Sequence, residues 1–147
     1  MRRLLMLSAL FLTTVLSLAQ EWKPQDISGL YSFVHSGETV QINVQPDGRV
    51  SGYISRVANG ESDRGQILDM MFDKASLQGD RLTFQTKKIH GNWFEFQGHI
   101  GRGKGKTHDE ESYFVIRGEV TTVSEDVNGK PASVVTEVEF KSFPGGM

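Results

Sequence analysis

Residues 39–57 read Thr39-Val-Gln-Ile-Asn-Val-Gln45, then Pro46-Asp47-Gly48, then Arg49-Val-Ser-Gly-Tyr-Ile-Ser-Arg-Val57, and this stretch decides the fold. Val40, Ile42 and Val44 alternate with Gln41, Asn43 and Gln45. That period of two places one apolar and one polar face on a strand. Pro46 presets φ, Asp47 favours a turn, and Gly48 accepts φ > 0. Arg49 to Val57 is the return strand, so residues 39–57 form a β-hairpin.

The same grammar extends in both directions. Leu30 to His35 precedes the hairpin as a short run. Gly79-Asp80 opens Arg81 to Ile89, and His90-Gly91 separates that run from Asn92 to Gly101. Tyr113 to Ser124 and Ala132 to Phe143 flank Asn128-Gly129, a strong hairpin signal. A weaker strand near Ala75 to Gln78 brings the count to about eight. Consecutive antiparallel strands at this spacing predict an all-β meander closed into an up-and-down barrel, since closure removes exposed edges. A β-sandwich is the alternative, because both architectures bury one face per strand.

Ile67 to Lys74 breaks the pattern. Leu68, Met71, Phe72 and Ala75 share one helical face, whereas Leu68, Met70 and Phe72 share one strand face. The expectation leans to a short helix after the polar loop 59–65.

The first 19 residues read as an export signal. Met1-Arg2-Arg3 is a positive start, Leu4 to Leu18 is mostly apolar, and Ser17-Leu18-Ala19 presents small residues for cleavage before Gln20. The apolar run is shorter than the ~20 residues of a membrane span. Removing 19 of the 147 residues leaves 128, assigned to one β-barrel-like domain at 20–147. With Arg2 and Arg3 gone, Lys+Arg falls from 16 to 14 against 18 Asp+Glu, and the net charge moves from −2 to −4. The expected location is periplasmic or extracellular. The chain has no Cys, which excludes disulfide scaffolds, thiol catalysis and thiolate metal sites. An exported domain without Cys also points to a bacterial source.

No catalytic motif is complete. Gly101-Arg-Gly-Lys-Gly-Lys-Thr107 ends like a phosphate-binding loop but has three residues, not four, between Gly101 and Gly105, and a strand rather than a helix follows. Gly60-Glu-Ser62-Asp-Arg-Gly65 carries one residue too many for a nucleophile elbow. His35, His90, His99 and His108 show no chelating spacing, and Asp126-Val-Asn128-Gly129 lacks the remaining calcium ligands, so no metal is expected. Glu137 and Glu139 share a strand face, and Glu110 and Glu111 are consecutive; neither pair is placed as a glycosidase dyad. The acidic balance disfavours nucleic acid. Strand charges at Lys87, Lys88, Glu95, Arg117, Glu119, Glu137 and Glu139 disfavour an outer-membrane barrel, and no membrane span is expected after signal cleavage.

Several strands carry bulky groups on both faces. Phe94, Phe96 and Ile100 alternate with Trp93, Glu95, Gln97 and His99. Tyr31, Phe33 and His35 alternate with Leu30, Ser32 and Val34. Two-sided strands suit a ligand-lined barrel or a subunit interface, which leaves oligomerisation open.

Gly29-Leu-Tyr31, the turn Ser36-Gly37-Glu38, the strand Val40-x-Ile42-x-Val44, Asp47-Gly48 and Gly52-Tyr53 together resemble the opening of avidin- and lipocalin-type barrels. The likeness spans about 25 residues. Tyr31 matches the avidin aromatic. Phe33 stands at the place of a ligand-contacting Asn, Glu38 near that of a Ser, and Tyr53 one place before that of a Tyr. The biotin-contacting set is therefore not carried over, and the lipocalin signature has Tyr31 in place of its Trp. The resemblance implies the barrel class and not the ligand. The chain also resembles exported bacterial proteins.

These readings favour an exported, non-enzymatic barrel that binds a small or amphipathic ligand without a cofactor. The expected lining is Tyr31, Phe33, Tyr53, Trp93 and Tyr113, with Glu95 and His99 as polar contacts. An envelope interaction or structural module, using the outer sheet face or the loops at 59–66 and 101–111, is the second reading. A small hydrolase is the third, if Ser62, a His and a carboxylate converge.

Overall fold

A computed structural model describes residues 22–145; the export signal at 1–19 lies outside them. A short 3₁₀ turn, Pro24–Ile27, leads into eight strands: β1 Gly29–Ser32, β2 Thr39–Val44, β3 Val50–Val57, β4 Ile67–Gln78, β5 Arg81–Thr86, β6 Asn92–Arg102, β7 Phe114–Glu125 and β8 Pro131–Lys141. They form one sheet in the order β1 to β8, each antiparallel to the next. The sheet curls until its ends meet. Tyr31 on β1 bridges Ser142, Phe143 N–H donates to the Leu30 carbonyl at 2.9 Å, and Lys141 N–H donates to Ser32 Oγ at 2.9 Å. One continuous sheet whose ends meet at this seam is a partly closed barrel and not two packed sheets, which removes the sandwich alternative.

The expected hairpin of residues 39–57 is present, with Val40 opposite Ile54 and Ile42 opposite Gly52. The turn expected at Asn128-Gly129 has Gly129 at φ 76°. The short helix expected over 67–74 is absent: these residues begin the twelve-residue β4. The helix-like spacing comes from a β-bulge between Phe72 and Lys74, where the register against β5 shifts. Before the bulge Leu68, Met70 and Phe72 face inward; after it Ala75 and Leu77 do. An extra residue at a bulge flips the side-chain parity. The inward set Leu68, Phe72 and Ala75 thus imitates the i, i+4, i+7 spacing of a helix.

Aromatic rings fill the barrel. Phe72 stacks on Phe84 at 4.3 Å between centroids, and Phe84 on Phe96 at 5.0 Å. Phe96 then meets Phe140 at 4.9 Å, Phe140 meets Phe33 at 5.2 Å, and Phe33 meets Phe94 edge-on at 5.3 Å. This chain of rings crosses the interior from β4 to β6. Such offset and edge contacts suit ring quadrupoles and add to the burial of apolar area.

The two barrel ends differ. The 3₁₀ turn lies at one end, where His108 Nε2 lies 3.1 Å from the Asp26 carbonyl and the 103–113 loop folds over the base. The other end carries the β1–β2, β3–β4, β5–β6 and β7–β8 connections. It is the open end.

Candidate functional site

A cavity of about 360 Å³ opens at that end. Its walls include Arg56 from β3, Leu68 and Met70 from β4, Asn92 from β6, and Thr122 and Ser124 from β7. The β3–β4 loop, with Asn59, Ser62 and Asp63, and the β5–β6 turn, with Ile89 and His90, form its rim. Met70 and the neighbouring Phe94 are 1% and 4% exposed. The ring chain ends at Phe94, over which the Arg56 guanidinium lies.

Arg56 is the central charged group. It occupies the inward register of β3 after Gly52 and Ile54. Its guanidinium lies 5.5 Å from the centroid of the Phe94 ring. Its Nε is 3.6 Å from Glu38 Oε1, and the two side chains are 19% and 10% exposed. That separation is an ion pair and not a hydrogen bond. Among the described residues, Arg56 Nε is a buried side-chain donor with no hydrogen-bond partner. A buried donor left unpaired costs ~1–3 kcal/mol. Glu38 is fixed by its other oxygen, Oε2, which accepts from His35 N–H at 3.1 Å.

The rim is polar and held in place. Ala58 N–H donates to the Gln66 carbonyl at 2.8 Å and Gly65 N–H to the Ala58 carbonyl at 2.9 Å, which closes the base of the β3–β4 loop. Ile89 and Asn92 exchange both backbone hydrogen bonds around His90-Gly91, at φ 49° and 75°. This is a two-residue hairpin with both central residues left-handed. Asn92 accepts from Ser124 Oγ at 2.7 Å and donates to the His90 carbonyl at 2.9 Å.

Ser62, Asp63 and His90 meet on this rim. Ser62 Oγ is 3.4 Å from Asp63 Oδ1, and His90 Nε2 is 3.6 Å from Asp63 Oδ2. The carboxylate stands between the hydroxyl and the imidazole. A nucleophilic triad needs the imidazole between them, so this order does not activate the serine. Among the described residues no group of three or more His, Asp or Glu could hold a metal ion, and no helix is long and apolar enough to cross a membrane.

The structure places the seven sequence-expected ligand residues in three regions. Tyr31 and Phe33 lie in the core, at 1% and 6% exposure. Tyr53, Trp93, Glu95 and His99 sit on the outer register of their strands, since their neighbours Gly52, Ile54, Phe94, Phe96 and Gly98 face inward. Trp93 Nε1 donates to Glu95 at 2.9 Å, Lys88 Nζ lies 4.7 Å from the Trp93 ring, and His99 pairs with Asp80 at 3.3 Å. Tyr113 is at the closed end under Arg102, 3.3 Å from its ring. None of the seven lines the cavity; Phe33 meets Phe94, over which the Arg56 guanidinium lies. The cavity residues themselves were legible in one respect: Arg56 interrupts the apolar register of β3.

No family model matches the chain, and no curated protein does. Solved structures do. The rhizavidin–biotin complex aligns with a TM-score of 0.59 at 18% identity, covering 84% of this chain and 98% of that one. A further rhizavidin structure aligns with a TM-score of 0.57 at 18% identity, covering 79% and 81%. The fold is similar to that of rhizavidin. The calycin-type likeness of the first hairpin thus extends over the whole meander. At this identity the likeness to rhizavidin concerns the fold. At the two places where the avidin pattern has a ligand-contacting Asn and Tyr, this chain has the buried Phe33 and Ile54.

Proposed function

We propose that this chain is an exported, non-enzymatic barrel that binds a small organic ligand at its open end. The observation that carries the reading is the cavity of about 360 Å³ lined by Arg56, Leu68 and Met70. It lies within the size range of small-molecule sites, and it combines an apolar floor with a few convergent polar groups. Rhizavidin, a barrel of the same fold, was solved with biotin bound. The ring chain fills the lower interior, so the ligand of this chain sits at the mouth. Export rests on the leader at 1–19 and places the protein in the periplasm or outside the cell.

The test is a ligand panel read by thermal shift and by tryptophan fluorescence. Trp93 reports through Lys88, which precedes the rim residues Ile89 and His90. A ligand should raise the melting temperature of the wild type and not of a Thr122→Trp variant, whose new side chain fills the mouth. Equal shifts in both proteins would place binding elsewhere.

An interaction module is the second reading. Val57 and Ile67 are directly paired on β3 and β4 and are 53% and 76% exposed, and the nearby Met71 is 49% exposed. An exposed apolar pair of this kind suits a protein partner, a second copy of the chain being the simplest, although Ser55 and Asp69 stand between it and Met71 on the same face. Sedimentation of the wild type against Ile67→Glu tests it: a monomer in both cases removes the second copy.

A further inference from the structure

We propose that the mouth recognises the carboxylate of a small organic monoanion, and that Arg56 is the residue that binds it. The proposal rests on the mouth-binding reading above and names the class of ligand. Arginine presents its N–H donors in a planar fork that matches a carboxylate. In a well-formed protein a buried guanidinium spends those donors on protein acceptors. Arg56 does not: its buried Nε makes no hydrogen bond, and its charged neighbour Glu38 stays at 3.6 Å, held back by His35 N–H. The guanidinium instead lines the cavity beside the ring of Phe94. Leu68, Met70 and Ile89 offer an apolar wall for the body of the ligand, next to the charge that holds its head.

The charge balance limits the anion. Glu38 stands beside Arg56, and Asp63 stands on the rim. Two carboxylates near one guanidinium oppose a second negative charge on the ligand. A carboxylate is therefore favoured over a phosphate or phosphonate dianion.

The experiment compares phenylacetate, phenylacetamide and benzylphosphonate, each titrated into the full mature chain and followed by the Arg56 Nε–H resonance and by thermal shift. Phenylacetate should move that resonance and bind about tenfold or more tightly than the amide. Arg56→Gln should abolish the preference for the acid, and Arg56→Lys should keep only part of it. Glu38→Gln should tighten phenylacetate binding, since it removes the competing charge. Circular dichroism melts confirm that each variant is folded. If both Arg56 variants fail to fold, the acid–amide comparison in the wild type and the Glu38→Gln effect decide alone. Equal binding of acid and amide, an acid preference that survives Arg56→Gln, or tighter binding of the phosphonate would overturn the proposal and leave mouth binding standing. If no member of the panel, charged or neutral, binds the wild type, both fall together.

Discussion

The Tyr31 hydroxyl donates to the Ile27 carbonyl at 2.7 Å, across the joint between the 3₁₀ turn and β1. Both residues are fully buried, and burial pushes the Tyr31 phenol well above its usual range. An unfolded tyrosine ionises near pH 10. Below that pH the phenol is neutral in both states and its stabilising contribution is complete. Above it only the unfolded chain releases the proton, so stability falls as pH rises, by roughly 1 kcal/mol per unit for this group. Tyr31→Phe should cost about 1–3 kcal/mol at pH 7, because the Ile27 carbonyl loses its buried donor. The variant should also lack the alkaline loss. Urea midpoints of both proteins at pH 7 and at about pH 11 check this; parallel pH profiles would contradict the burial argument.

Gly98 on β6 and Gly118 on β7 are direct partners, and the ring of Phe96 lies over the first of them. A Cβ on Gly118 would overlap the Gln97 carbonyl oxygen and the Gly98 Cα; one on Gly98 would overlap the Arg117 carbonyl oxygen and Phe96 Cζ. Most of these atoms are backbone and cannot swing aside. Alanine at either position should therefore cost about 1–3 kcal/mol by forcing the strands or the ring chain to shift. Gly101 is the control, since its nearest atom is the flexible Arg117 Nη1 at 4.0 Å. Gly101→Ala should stay within about 0.5 kcal/mol. Denaturant midpoints of the three variants provide the comparison.

Much of the fold was legible because each hairpin carries its own turn chemistry. Pro46-Asp47-Gly48, Gly79-Asp80, His90-Gly91 and Asn128-Gly129 all stand at turns, with positive φ at Gly48, Gly79, His90, Gly91 and Gly129. Residues 67–74 were not legible, because a bulge is a property of two strands in register and one strand's sequence does not display it. The site was less legible still. Alternation identified two faces on β6, but which one turns inward follows from closure of the whole sheet. Phe94 and Phe96 took the interior, which left Trp93, Glu95 and His99 outside. Arg56 carried a usable signal, a charge in the same register as Gly52 and Ile54, which interior filling alone does not explain.

His90 adopts φ 49°, ahead of Gly91 at φ 75°. A side chain with a Cβ pays for the left-handed region, and asparagine pays least among them. His90→Asn should raise stability by up to about 0.5 kcal/mol. The lost contact with Asp63 is worth little, because the His90 side chain is 69% exposed and 3.6 Å away. His90→Val should instead cost about 1–2 kcal/mol, the β-branch being least tolerant of this conformation. Thermal melts at neutral pH order the three proteins; a destabilised asparagine variant would show that the imidazole, and not the turn, fixes the rim.

β8 is paired with β7 along its full length, but β1 has four residues and reaches the far side of β8 only near Tyr31 and Ser142. Among the described residues nothing pairs with the outer edge of β8 from Ala132 to Val138. Val134 and Val135, which point to opposite faces, are 66% and 58% exposed, so this half of β8 stands clear of the core. Amides of this segment that point away from β7 have no partner and should exchange with solvent rapidly, while their neighbours bonded to β7 stay protected. Phe140 lies near the seam and is fully buried. Val135→Lys should therefore change stability by no more than about 0.5 kcal/mol, whereas Phe140→Ala should cost about 3–5 kcal/mol. Hydrogen exchange resolved by residue separates the two halves of the strand. Uniform protection from Ala132 to Val138 would mean that a second strand covers the edge in solution, and dilution of the protein would then tell whether another copy of the chain supplies it.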